Sequence, residues 1–254
     1  MPEAGAFMKN LIKGLHKAMM NMALLILDYM PWAVIALLAN TIAQKGLLSI
    51  LEVGKFILVL YLAIIVQFII QLLFLSVNGI NPIHYLKKSI TLLILAFTSR
   101  SSVGCLPVTI ETLVKKLGVN QGTANFVAGF GTTAGMQGCA GIFPSLLIVY
   151  VCNLTGSPLD FSMIIMTIIV VSLGSLGIAG IAGIPGTATM AASVSLSGVG
   201  MASSFSLIGP ILAIDPLIDM ARTMLNVAGS VVNALVIDKH LGTFNAEAYK
   251  QDKN

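Results

Sequence analysis

The 254 residues are 57% hydrophobic and only 9% charged, with a formal net charge of +4 and a mean hydropathy of +0.95. A soluble globular domain carries about 25% charged residues, so this composition excludes a water-soluble fold and leaves a membrane-embedded one. The positive balance does not point to nucleic acid, because the lysines have a membrane explanation.

Met1 to Lys17 reads as a short amphipathic lead-in, with Lys9, Lys13 and Lys17 along one helical face. It lacks the basic, apolar and small-residue order of a cleavable signal peptide. A spanning helix needs about 20 mostly apolar residues, and two segments qualify simply. The first runs from Met20 to Ala43, the second from Phe56 to Val77 with only Gln67 and Gln71 interrupting it.

The pattern then changes. Ile90 to Phe97 is apolar but too short to span, and it stops at a small, polar run from Ser99 to Pro107. Val108 to Leu117 leads back to Lys115 and Lys116, so residues 87–117 read as a re-entrant hairpin. Residues 121–152 read as a span broken by Gly131-Thr132-Thr133-Ala134-Gly135-Met136-Gln137-Gly138. Residues 160–203 read as a second hairpin whose tip, Gly177 to Gly186, is rich in glycine and ends on Pro185-Gly186. A polar last span covers 206–238, followed by a tail. Irregular backbone is tolerated at membrane depth only where protein or water lines it. Paired Gly/Pro-interrupted segments in two halves point to a transporter's binding site.

With the N-terminus inside, Lys9, Lys13, Lys17, Lys87, Lys88, Lys115, Lys116, Lys239, Lys250 and Lys253 fall on the cytoplasmic side, and Lys45 and Lys55 outside. That asymmetry obeys the positive-inside rule and predicts a multi-pass plasma-membrane protein with both termini cytoplasmic.

Asp215, Asp219, Arg222, Thr223, Asn226 and Ser230 share one face of the last span, because their offsets fall within roughly 100° of arc at 3.6 residues per turn. Ionisable groups at membrane depth usually mark a substrate or ion path. Arg100, at the first tip, is a second intramembrane cation expected to pair with one of these aspartates. An arginine fork suits a carboxylate and an aspartate an ammonium, a combination that describes an amino acid. Cys105, Cys139 and Cys152 are odd in number and lack metal-ligand spacing, and His16, His84 and His240 lie beside lysines or chain ends. No metal site and no cofactor are expected. An aspartyl-protease reading fails because Asp215 and Asp219 lie on one helix with no second catalytic span.

The run Arg100-Ser101-Ser102-Val103-Gly104-Cys105-Leu106-Pro107 resembles the serine-rich first hairpin of the dicarboxylate/amino acid:cation symporters, the glutamate-transporter homologues. Ala182-Gly183-Ile184-Pro185-Gly186 resembles their second hairpin, and Asp215 to Gly229 their last helix. The resemblance implies an all-α integral membrane fold of four spans and two re-entrant hairpins, with residues 1–50 forming the lead-in and one scaffold-type span and residues 51–254 part of a transport domain. It assigns Arg222 to the substrate's distal carboxylate and Asp219 to its amino group. Thr223 and Asn226 hydrogen-bond the substrate, while Ser101, Ser102 and the Gly183-Ile184-Pro185-Gly186 tip clamp its main-chain carboxylate. Asp215, Arg100, Met136 and Gln137 serve coupling or gating.

Two departures shape the expectation. The family's Asn-Met-Asp-Gly-Thr run is here Gly135-Met136-Gln137-Gly138-Cys139, and an aspartate near the end of the last helix is here Ser230. The first looks like the L-cystine symporter branch. Together they favour proton over sodium as coupling ion, with a sodium-coupled acidic amino-acid carrier as the alternative. The chain also begins just before the family's fifth span, so it reads as a C-terminal portion. Its expected partners are lipid, an amino-acid substrate, and either further copies (trimers, by resemblance) or a missing N-terminal half. A non-transporting membrane subunit or remnant is the reading from another class.

Overall fold

A computed structural model describes residues 48–178 and 187–250, together with scattered helical positions before Leu48. The lead-in and first span therefore lie largely outside the described residues. So does the second tip, with Gly183, Ile184, Pro185 and Gly186. Among the described residues every regular element is a helix. Three stretches among these described residues are long and apolar enough to cross a membrane: Leu51–Val77, Gln137–Thr155 and Asp215–His240.

Helix α1 (Leu48–Val77) is an unbroken apolar rod of 30 residues. Leu58, Leu62, Ile65, Ile69 and Leu73 are exposed, whereas Leu60, Ile64, Gln71 and Leu75 turn inward. Helix α2 (Pro82–Ser99) starts where Asn81 caps it, its side chain accepting from the Ile83 N–H at 2.9 Å, with proline in the first turn. It ends at Arg100, which takes a left-handed conformation at φ 53° and returns its N–H to the Ala96 carbonyl. Ser101 immediately caps α3 (Ser102–Glu111) by accepting from the Gly104 N–H at 3.0 Å. The turn between these helices is thus only Arg100-Ser101. The sequence reading extended it to Pro107, which instead sits inside α3. An interior proline removes one backbone donor, here the one that would bond the Val103 carbonyl; two residues on, Thr109 Oγ1 donates to the Cys105 carbonyl at 2.9 Å. A π-helical turn, Thr112–Lys116, completes this arm.

Helix α4 (Gln121–Gly131), capped by Asn120, gives way to a non-helical stretch and then a π-helical segment, Gln137–Ile142. Helix α5 (Phe143–Thr155) follows, started by Pro144 and ended by left-handed Gly156. Helices α6 (Phe161–Ile178) and α7 (Thr187–Gly198) pack together. The last span was expected to run from Ser206. The chain instead makes a 3-10 turn (Ala202–Ile208) and a short α8 (Gly209–Ala213), and the long helix α9 begins only at Asp215. Pro216, in its first turn, explains the restart: proline is favoured at the start of a helix and cannot continue one from behind.

Helix α9 (Asp215–His240) is central, packing on α1, α2, α4 and the π-helical segment. Its buried face carries Ala221, Ala228, Gly229, Ser230 and Ala234. Small residues let backbones approach closely, which is how membrane helices associate without a hydrophobic drive between them. A short α10 (Ala246–Lys250) folds back on the chain: Tyr249 Oη donates to the Asn81 carbonyl at 2.6 Å and Lys88 Nζ to the Ala248 and Tyr249 carbonyls.

Candidate functional site

The polar stripe of α9 turns inward. Asp215, Arg222, Thr223, Asn226 and Ser230 are all buried, and Arg222 is 1% exposed. One guanidinium nitrogen, Nη2, donates to Asp215 Oδ1 and to Asp219 Oδ1, the latter at 3.0 Å. The guanidinium lies over the Phe143 ring, 4.1 Å from its centroid. Its Nε and Nη1 are buried and have no hydrogen-bond partner. Two donors of a buried cation are therefore unspent, while two carboxylates crowd a third. A buried donor without an acceptor costs about 1–3 kcal/mol, more for a charged group. The site is polarised toward an incoming acceptor.

The broken segment forms the facing wall. Gly138 N donates to Asn226 Oδ1 at 2.7 Å, Asn226 Nδ2 to Cys139 Sγ at 3.1 Å, and Cys139 Sγ to Asp219 Oδ1 at 3.6 Å. Asn226 thus spends both ends of its amide on the Gly138-Cys139 segment. Gly138 has a packing reason to be glycine, since a Cβ there would lie 2.8 Å from Arg222 Cα. Met136 is buried with Cys139, Ala140 and, on α7, Ala191.

Arg100 does not pair with an aspartate, as charge counting expects. Its Nη1 reaches the Pro216 carbonyl at 3.4 Å, and the two aspartates are taken by Arg222. The acceptor is a backbone carbonyl in the first turn of α9. Ser101 is committed to capping α3, and Ser102, just inside it, is buried.

Two side chains at expected coupling positions are also engaged. Gln137 Oε1 accepts from Gln67 Nε2 at 3.0 Å and from Gln71 Nε2 at 2.8 Å. Ser230 Oγ donates to the Asn226 carbonyl at 3.1 Å, and Gly131 packs so closely on it that a Cβ at 131 would lie 2.2 Å from Oγ. The sequence marks Cys139 as part of the Gly135–Cys139 run but gives it no role in the site. Its neighbourhood to Asp219 and Asn226 depends on the break in the helix, which periodicity does not encode.

The model of the Sodium:dicarboxylate symporter family matches residues 1–240. The chain belongs to this family. It is similar, among curated symporter-family relatives, to the L-cystine uptake protein TcyP of Bacillus cereus, 42% identical over 252 residues that make up 99% of this chain and 53% of the relative. It is also 41% identical to the protein of that name from Bacillus licheniformis, over 254 residues and 54% of that protein. The Shouchella clausii counterpart is 41% identical over 249 residues and 52% of its length. The chain spans about half the length of these relatives. Family membership and the apolar helices make it a multi-pass membrane protein, and the relatives' names describe uptake rather than catalysis.

Proposed function

We propose that this chain is the substrate-binding part of a secondary amino-acid symporter that takes up L-cystine. The observation that carries this reading is Arg222: a buried guanidinium with Nε and Nη1 unpartnered, set beside two carboxylates and facing a break in a membrane helix. An arginine fork recognises a carboxylate through paired N–H donors, and Asp219 beside it suits an ammonium. Cystine offers both groups twice over. The names of the relatives agree with this substrate. Thr223, Ser101, Ser102 and the Gly183-Ile184-Pro185-Gly186 tip complete the site, and Asn226 shapes it by holding Gly138 and Cys139. The architecture proposed around it has four spans and two re-entrant hairpins, α2–α3 and α6–α7. Residues 1–50 supply the lead-in and a scaffold-type span, and residues 51–254 a transport-domain part. The portion of the relatives that this chain does not match, or further copies in a trimer, supplies the rest. The coupling ion in this reading is the proton.

The test is uptake of labelled cystine into cells lacking their own cystine carriers, with the chain expressed alone and completed with the unmatched portion of the Bacillus cereus relative. Saturable uptake, competed by cystine and not by glutamate, is expected from at least the completed form. Competition by glutamate instead would favour a dicarboxylate carrier, and no uptake from either form would favour a non-transporting subunit.

The orientation proposed with this reading, both termini in the cytoplasm of a plasma-membrane protein, is supported by the lysine distribution. A cysteine introduced at Asp160, in the loop before α6, should react with an impermeant thiol reagent added outside, and one at Lys250 should not. The reverse pattern overturns the orientation.

A further inference from the structure

Gln67 and Gln71 interrupt the apolar run Phe56 to Val77 within α1, and the proposed substrate chemistry makes no use of them. They lie one helical turn apart, so their amides emerge on the same face. Both donate to one acceptor, Gln137 Oε1, the first residue of the π-helical segment. Gln71 Nε2 also approaches the Leu225 carbonyl of α9 at 3.4 Å. The residue opposite them on α9 is Gly229, where a Cβ would lie 2.8 Å from Gln137 Nε2 and 3.1 Å from Gln71 Nε2. Next to Gln137, Gly138 N is bound to Asn226, and Cys139 follows beside Asp219. A continuous polar path therefore runs from α1 through Gln137 and Gly138 to the helix that bears Arg222.

We propose that Gln67 and Gln71 are positioning residues for the substrate site: their amides hold Gln137, and with it the broken segment, against α9. Close packing alone would not call for them. α1 buries Leu60, Ile64 and Leu75 on the same side, and an apolar side chain would fill the same space. Amides at membrane depth cost free energy unless paired, and Gln71, 4% exposed, keeps its Oε1 unpartnered in order to point its NH2 at Gln137. The i→i−4 ladder runs on to Gly135, whose N–H bonds the Gly131 carbonyl at 3.2 Å, but Gln137 N turns back only two residues, to the Gly135 carbonyl at 3.0 Å, so at this break the position of the segment on α9 depends on side chains.

The proposal rests on the cystine reading only in its uptake arm. The deciding arm uses Cys139 as a reporter and needs no substrate. In membranes carrying the chain, a small permeant methanethiosulfonate should modify buried Cys139 slowly, as it should Cys105 and Cys152. The double substitution Gln67→Met, Gln71→Met should speed modification of Cys139 alone by about tenfold, a change of about 1.4 kcal/mol in the opening equilibrium. Gln137→Met should do the same, and the triple variant should add nothing further. An unchanged Cys139 rate, additive effects, or equal acceleration of all three cysteines overturns the proposal. In the completed carrier, Gln71→Met should raise KM for cystine while Vmax changes little; a lower Vmax at unchanged KM also overturns it. Absence of uptake in the unsubstituted carrier counts against the substrate reading and leaves the thiol result to decide.

Discussion

Arg222→Ala is expected to abolish cystine uptake by the completed carrier, with a loss of at least about a hundredfold. The guanidinium is 1% exposed, so solvent does not screen it. Removing one partner of a buried ion pair costs about 3–5 kcal/mol, because the other charge is stranded, and each 1.4 kcal/mol is tenfold in affinity. Here two carboxylates, Asp215 and Asp219, lose the nitrogen they share. The free Nε and Nη1 donors are lost as well. Arg222→Lys separates charge from geometry: an ammonium still neutralises the aspartates, but it cannot present the fork. Its uptake should lie between wild type and alanine, through a raised KM. The measurement is initial uptake against concentration, normalised to protein in the membrane. Asp215→Asn in the Arg222→Ala background relieves the stranded charge and should recover expression without recovering uptake. Uptake unchanged in Arg222→Ala sinks the assignment.

The parts of this site that were legible in the sequence are those encoded locally. The stripe from Asp215 to Ser230 follows from helical periodicity, since six polar side chains at those offsets can share one face only if the segment is helical. The break near Gly135 follows from small residues clustered where a span should continue. What escaped is what depends on partners far along the chain. Gln67 and Gln71 look like mere interruptions of an apolar run until Gln137, 66 residues beyond Gln71, is placed beside them. Arg100 looks as if it must find a carboxylate, because charge counting ignores the Pro216 carbonyl. Pro107 looks like a tip residue because proline usually ends helices, yet Ser101 had already restarted the helix and α3 runs through it. The tail after His240 looks like an appendage, but Asn245 N donates to the Gly118 carbonyl and Tyr249 Oη to the Asn81 carbonyl. These are tertiary facts that no local pattern carries.

Transport by this chain in its completed form is expected to continue when sodium is replaced by choline, and to follow an imposed proton gradient. Sodium is a hard cation that must exchange its water for oxygen ligands, and an uncompensated buried ion costs several kcal/mol even after relaxation. The positions where resemblance places sodium-binding groups offer little. Gly135 has no side chain, Gln137 Oε1 already accepts two N–H donors, and Ser230 Oγ is bonded to the Asn226 carbonyl and wedged against Gly131. A proton makes no such demand. Asp215 and Asp219 both converge on the single nitrogen Nη2 of Arg222, so one carboxylate can give up its bond while the other still neutralises the guanidinium. When a substrate carboxylate joins the same guanidinium the crowding increases, so substrate and proton should bind together. Asp215 is the expected carrier, because the proposed reading assigns Asp219 to the substrate ammonium. In vesicles an inward gradient of one pH unit supplies about 1.4 kcal/mol per proton, enough to drive roughly tenfold accumulation for each proton moved with a neutral substrate. Asp215→Asn, which keeps the hydrogen-bond geometry and removes the titrating group, should retain exchange of internal for external cystine while losing accumulation under the gradient. Strict dependence on sodium, with no response to the pH gradient, would refute the proton reading, and gradient-driven accumulation intact in Asp215→Asn would move the proton to another group.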